Sequence, residues 1–339
     1  MSTTLADALL ERAVALRASD VHVDPGADGF RVRLRVDGRF LEEPRLDRAS
    51  GLQLLGRLKV LSSLMVYRSD VPQEGRLPLP GAHEARLAVI PTPLGEKATL
   101  RLFDAEARLA GLADLGFAEE VAGWLEERLA RPSGLLLAAG PSGSGKTTTL
   151  YAGLAEVLAR RGAFCQVVTV EDPVERRIEG AVQVQVDAAR DLDFASALKF
   201  LLRQDPEVIL VGEIRDPETA RVAVRAAMTG HLVLSSLHCG RAHEARPRLL
   251  EMGVEPWAVD LALSGVLAQR LVRLLCTACR GEGCEECLST GYKGRTAVAE
   301  VLDPGQPVPR TTLAAAARAL VSRGVTTDEE VHRVLGGES

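Results

Sequence analysis

Gly134-Leu-Leu-Leu-Ala-Ala139-Gly140-Pro-Ser-Gly-Ser-Gly145-Lys146-Thr-Thr-Thr-Leu150 is the stretch on which the fold turns. A short unbroken apolar run suits a strand buried on both faces of a largely parallel sheet. The pattern G-x-x-x-x-G-K-T follows it directly, and a helix is expected from about Lys146. In that setting backbone N–H groups at a helix N-terminus surround anionic phosphates. The cradle is expected from Gly140, Ser142, Gly143, Ser144, Gly145, Lys146, Thr147 and Thr148. Lys146 would reach the β- and γ-phosphates of ATP, and the Thr147 hydroxyl would ligate Mg²⁺. A glycine-rich structural turn is the plain alternative; the strand, loop, lysine and helix in register argue against it.

Outward from this stretch, residues 166–170, 208–211 and 231–235 are further short apolar runs alternating with helical patterns. An α/β domain follows, with its chemistry at the carboxyl ends of the strands. Glu213 ends one run as the candidate acid for the Mg²⁺ site or for orienting water. Glu171 and Asp172 end another, near the sheet's edge, and read either as a solvated turn or as a catalytic pair. His231 and His238 flank a third; His238 could touch a γ-phosphate, and either histidine could equally be a satisfied strand-end residue.

The first hundred residues read differently. Residues 5–18 suit a short helix, 19–25 a strand, and 30–36 alternate strictly as a half-exposed strand. Residues 52–64 read as a helix, and 85–103 as two strands joined through Pro91, Pro93 and Gly95. This is an α+β domain over 1–108, with a linker at 109–116 and the α/β domain over 117–339. The chain's 339 residues fit two domains at ~150 residues each. With 46% apolar and 26% charged residues it is neither disordered, collagenous nor coiled coil. A net charge of -5 supplies no field for nucleic acid. No apolar stretch approaches the ~18 residues of a membrane span, and Asp7 stands where a signal peptide carries a base. A cytoplasmic protein is expected. Of six cysteines, four form two C-x-x-C pairs, Cys276/Cys279 and Cys284/Cys287. They can aim four thiolates at one tetrahedral, structural Zn²⁺ in a hairpin at about 270–298, with free loop thiols as the alternative.

Taken in order, these segments resemble the hexameric ATPases of type II secretion and type IV pilus assembly. The likeness runs from about Leu9 to Val334. Residues 169–175, 208–216 and 229–238 correspond to that family's Asp box, atypical Walker B and His box. Residues 194–206, 266–272, 18–25, 37–38, 72–76 and 95–97 also look like it. The resemblance implies a RecA-like P-loop ATPase domain with a smaller PAS-like α+β domain before it. It makes Glu171 the water-activating carboxylate, Glu213 the Mg²⁺-site acid and His238 the γ-phosphate sensor. It also implies that the first domain contributes arginines to the phosphates: Arg86 and Arg101, with Arg76 third, although an arginine on the outer face of a half-exposed strand is ordinary. Such a protein would be a homo-hexamer, peripheral to the inner membrane through a platform protein, adding pilin-like subunits to a filament and binding no nucleic acid. A retraction motor and a non-hydrolysing nucleotide switch are the rival readings; the paired cysteines speak against retraction. Three departures stand out. The four-residue gap between the cysteine pairs is shorter than usual, Cys239 follows His238 where a polar residue is usual, and the chain starts close to the PAS-like domain.

Overall fold

The strict alternation at residues 30–36 becomes one strand of an antiparallel sheet with a single buried face. The computed structural model describes residues 4–79, 83–104, 111–162 and 165–336. The chain divides into two units, Met1–Arg108 and Leu109–Ser339. Among the described residues the first unit holds α1 (Leu5–Ala15), β1 (Asp20–Gly26), β2 (Gly29–Val36), β3 (Arg39–Glu42), α2 (Arg48–Leu61), β4 (Gln73–Pro78), β5 (His83–Thr92) and β6 (Gly95–Asp104). The strands lie in the order β3-β2-β1-β6-β5-β4. Leu9 and Leu10 of α1 and Leu54, Leu55 and Leu58 of α2 pack on Val21, Val23, Leu34, Leu87 and Leu100. That leaves Asp20, His22 and Asp24, which alternate with them, on the other face. Helix α2 begins at Arg48, earlier than the expected 52, because Asp47 caps it by accepting from the Ser50 N–H at 2.8 Å. The edge strands β3 and β4 escape the sequence reading, because they are short and Leu77 is the one fully buried residue between them.

The second unit continues with α3 (Glu119–Leu129), β7 (Gly134–Ala139), α4 (Lys146–Arg161), β8 (Val167–Glu171), β9 (Ala181–Gln185), α5 (Phe194–Leu201), β10 (Val208–Ile214), α6 (Pro217–Met228), β11 (Leu232–Leu237), α7 (Ala245–Glu251), α8 (Pro256–Ala262), β12 (Leu263–Leu275), β13 (Tyr292–Leu302), α9 (Leu313–Ser322) and α10 (Asp328–Leu335). Its sheet runs β13-β12-β7-β11-β10-β8-β9. All neighbours are parallel except β12 and β13, which form a long antiparallel hairpin. Helices α3 and α4 pack on one face, and α5 to α8 on the other. Helices α9 and α10 cover the outer part of the hairpin through Leu313, Leu320 and Val331. Of the expected linker, residues 109 and 110 lie outside the described residues; Leu112 is already buried in the core beside α3 and α4. Strand β9 was not expected from the sequence, and the hairpin expected at about 270–298 is the outer part of a longer one, β12 and β13, that reaches back into the sheet. Among the described residues no helix is long and apolar enough to cross a membrane.

Candidate functional site

Strand β7 is buried along its whole length, so its end delivers the glycine loop to a fixed place beside β11 and β12. Helix α4 begins at Lys146 with Gly145 at its N-cap and no side chain capping it, so its first N–H groups have no side-chain acceptor. Gly140, Gly143 and Gly145 all take positive φ, at 146°, 75° and 90°. A side chain there would strain the turn. The Lys146 ammonium folds back and donates to the carbonyls of Gly140 (2.8 Å) and Pro141 (3.0 Å). Burial pushes its pKa down, while the nearby Glu213 opposes that shift. Ser144 is buried, with its Oγ making no hydrogen bond. Thr147 is half-buried, and Ser142 and Thr148 are exposed.

Glu213 sits near the carboxyl end of β10, 15% exposed, ion-paired with Arg215 and 3.9 Å from His238 Nε2. His238 lies just past β11 with its side chain 51% exposed. Its pKa is lowered, first by partial burial and then by Lys146, with Glu213 pulling the other way. The Ser235 and Ser236 hydroxyls donate to the carbonyls of Val211 and Gly212, both at 2.7 Å, tying the two strand ends together. Lys146, Glu213 and His238 are therefore brought together at the carboxyl ends of three neighbouring strands. His231, at the other end of β11, pairs through Nδ1 with the Ala226 carbonyl at 2.9 Å.

Glu171 is held by a separate set of partners. The sequence put it near the sheet's edge, and β8 is second from the edge; β9 pairs outside it with Gln185 opposite Glu171, so the residue is only 3% exposed and not part of a solvated turn. Its carboxylate accepts from Tyr151 of α4, from the Thr169 hydroxyl (2.6 Å) and from Gln183 Nε2 (3.0 Å). Asp172 beside it is exposed, 3.9 Å from Arg215. In the first unit Arg76, Arg86 and Arg101 form one row across β4, β5 and β6. Arg86 is ion-paired with Glu74, and Arg101 with Asp20 at 3.2 Å.

The four cysteines of the β12–β13 hairpin bring their Sγ atoms within 4.8 Å of one another, three of the pairs at 3.8 Å. Four ligands at a Zn–S distance of ~2.3 Å around a tetrahedral ion would stand about 3.8 Å apart, so the donor set fits zinc. The N–H groups of Gly283 and Cys284 point at Cys279 and Cys287 Sγ, at 3.2 and 3.1 Å, which favours thiolate. Cys165 and Cys239 lie outside the cluster; burial, then Glu244, pushes the Cys239 thiol up to about 12.

Sequence reasoning missed Gln269 and Arg270 as site residues. Gln269 Nε2 donates to the Ser144 carbonyl (2.7 Å), its Oε1 accepts from Thr149 (2.8 Å), and Arg270 donates to the Gly240 carbonyl (2.8 Å). A polar pair inside the otherwise apolar run 266–272 was the available signal.

Residues 1–333 match the family model described as "Type II/IV secretion system protein". The chain belongs to that family. It is 44% identical over 306 residues to the type II secretion system protein HxcR of Pseudomonas aeruginosa, covering 87% of this chain and 65% of the relative. Identity to the type II secretion system protein E of Klebsiella pneumoniae is 41% over 324 residues, with 88% and 65% covered. The type IV pilus assembly ATPase PilB of Myxococcus xanthus is 40% identical over 330 residues, with 88% and 58% covered. The chain thus spans less than two thirds of the length of these members of the type II/IV secretion family. Among solved structures, the Legionella pneumophila ATPase DotB shares the fold, with a TM-score of 0.75 at 21% identity over 98% of this chain and 95% of that one. The pilus retraction motor PilT with bound ADP gives 0.66 at 25% identity, covering 98% and 97%.

Proposed function

We propose that the second unit is a RecA-like P-loop ATPase domain, that the first is its smaller PAS-like companion, and that the protein is the ATP-hydrolysing motor of a hexameric ring that powers pilin or pseudopilin assembly. The observation that carries this reading is the convergence of Lys146, Glu213 and His238 beside the helix start of α4. The glycine loop would hold the phosphates of ATP with its amides, and Lys146 would exchange two carbonyl partners for phosphate oxygens, a charge-assisted and stronger pairing. Mg²⁺, when bound, would be held by Thr147 with Glu213 and would neutralise phosphate charge. His238, neutral near pH 7 with its pKa held down, suits a sensor that accepts or donates one hydrogen bond at the terminal phosphate. Glu213 suits the water-orienting role better than Glu171, because three donors already occupy the Glu171 carboxylate. Glu171 then serves to hold α4 on β8 through Tyr151. Arg86 and Arg101 are the candidate arginines for the developing phosphoryl charge, and each would have to leave a carboxylate partner to serve. Zn²⁺ in the cysteine hairpin would be structural, with four protein ligands and no open position. The paired cysteines, through the resemblance, favour assembly over retraction.

Phosphate release from Mg-ATP by the wild type and by Glu213→Gln tests the reading. Steady release by the wild type, reduced ~10²-fold or more in the variant while ATP binding persists, is expected. Undiminished release by Glu213→Gln removes that residue from the mechanism. Binding without release in the wild type makes the protein a nucleotide switch.

A further inference from the structure

We propose that Gln269 is a positioning residue for the phosphate loop, and that with its neighbour Arg270 it fixes Lys146 and His238 to one point on β12. The inference rests on the ATP-site reading above and goes beyond it. Gln269 is 1% exposed, and both ends of its amide are used, one by the loop at Ser144 and one by the first turn of α4 at Thr149. With both ends paired and no solvent to compete, the buried amide has a single closed geometry and acts as a latch, in which the bond to the Ser144 carbonyl is the one that holds the loop. The C=O and N–H of a trans peptide point in opposite directions. Holding the Ser144 carbonyl toward Gln269 therefore turns the Gly145 N–H away from β12, free for an anion on the other side.

The glycines of the loop record the same contact. A Cβ on Gly140 would come 2.7 Å from the Gln269 carbonyl oxygen, and one on Gly145 would come 3.0 Å from Gln269 Nε2. A Cβ on Gly143 would meet nothing within 4 Å. Two of the three glycines thus let β12 approach closely, and only Gly143 keeps its side open. Successive residues of a strand face opposite ways, so Arg270 serves the other face. Its guanidinium holds the Gly240 carbonyl at 2.8 Å, and Glu244 receives the Gly240 N–H at 2.6 Å. Glu300, 1% exposed, receives the Ala242 N–H at 2.6 Å. The turn carrying His238 is thereby fastened beside the loop carrying Lys146.

The test compares Gln269→Glu, which keeps the acceptor for Thr149 and loses the donor to Ser144, with Thr149→Val, which does the reverse. Hydrogen exchange of the amides at 140–148 is followed in nucleotide-free protein, and KM and kcat for ATP are measured alongside. Gln269→Glu should speed exchange across the loop and raise KM ~tenfold with a smaller change in kcat, the effect of about one lost hydrogen bond on binding. Thr149→Val should leave KM within about twofold, because the Ser144 carbonyl stays pinned. Arg270→Met, acting on the His238 turn, should lower kcat with KM little changed. Wild-type loop exchange and KM in folded Gln269→Glu, or an equal rise in KM from Thr149→Val, would overturn the proposal. A wild type inert toward ATP would defeat the ATPase reading instead, and the exchange comparison, which uses no nucleotide, would still decide the latch.

Discussion

Glu330 shows how much one side chain can carry away from the site. It has no exposed surface, and it accepts from the Arg273 N–H (3.0 Å) and guanidinium (2.9 and 2.6 Å) and from Arg333 (2.7 and 2.6 Å). Burial alone would push its carboxyl pKa up; the hydrogen bonds from Arg333 and Arg273 outweigh it and hold the value at about 2. A carboxylate whose pKa falls on folding stabilises the fold above its unfolded value of ~4.3, and that contribution is lost as pH falls through 4 toward 2. Glu330→Gln should therefore cost about 3 kcal/mol at pH 7, and the gap to wild type should close in acid. Denaturant melts from pH 7 to pH 3 check this; a gap independent of pH would contradict it. Lys146, Glu213 and His238 were legible as candidates at this scale because Lys146 completes the glycine-loop pattern and the other two follow short apolar runs. The surroundings of Glu171 were not, because Tyr151 and Gln183, which occupy its carboxylate, come from α4 and β9.

At the scale of elements, the β12–β13 hairpin joins two sites. Its root borders the glycine loop through Gln269, and its tip carries the four cysteines. Between them Arg273 stacks on the Tyr292 ring at 3.9 Å and pairs with Glu330 of α10. Cys279→Ser should lower zinc content from about one ion per chain toward none and lower Tm by a few degrees, as the loss of a local metal clip does in a unit of this size. Nucleotide affinity should be unchanged, because Gln269 lies well down the ladder from the tip. Metal analysis with a thermal melt checks both; full zinc and an unchanged Tm would refute the structural role. The sequence disclosed the cysteine pairs, whose spacing is a local signal, and the hairpin that presents them, but not how far its two strands run back into the sheet. Gln269, Arg270 and Arg273 break the apolar run of β12, and β9 alternates two glutamines with valines as an edge strand would. The strands β7, β8, β10 and β11 were legible because burial on both faces makes each a mostly apolar run, with polar residues confined to Thr169 and to the carboxyl ends at Glu171, Glu213, Ser235 and Ser236. Helix α2 was misplaced at its start because the Asp47 cap lies outside the apolar pattern that marked it.

For the whole molecule, the question is whether the sites work singly or as a ring. A motor assembled with closed symmetry couples each site to its neighbours, whereas independent ATPases merely add. Lys146→Ala is the useful probe. It removes the ammonium proposed to meet the phosphates, together with its bonds to the Gly140 and Pro141 carbonyls, while leaving the loop's contact with Gln269, so a silent subunit should still assemble. Mixed with wild type in equal parts after dissociation and reassembly, it should reduce phosphate release to well below half, since most rings would contain several silent sites. Independent sites would retain about half the activity, in proportion to the wild-type subunits present. Specific activity should also rise with total protein concentration as assembly proceeds, by mass action. Phosphate release measured across a dilution series, with mass by light scattering on the same samples, separates the cases. A linear response to doping together with flat specific activity would mean that each chain hydrolyses ATP alone, and the ring would have to be given up while the site built on Lys146 and Glu213 remained.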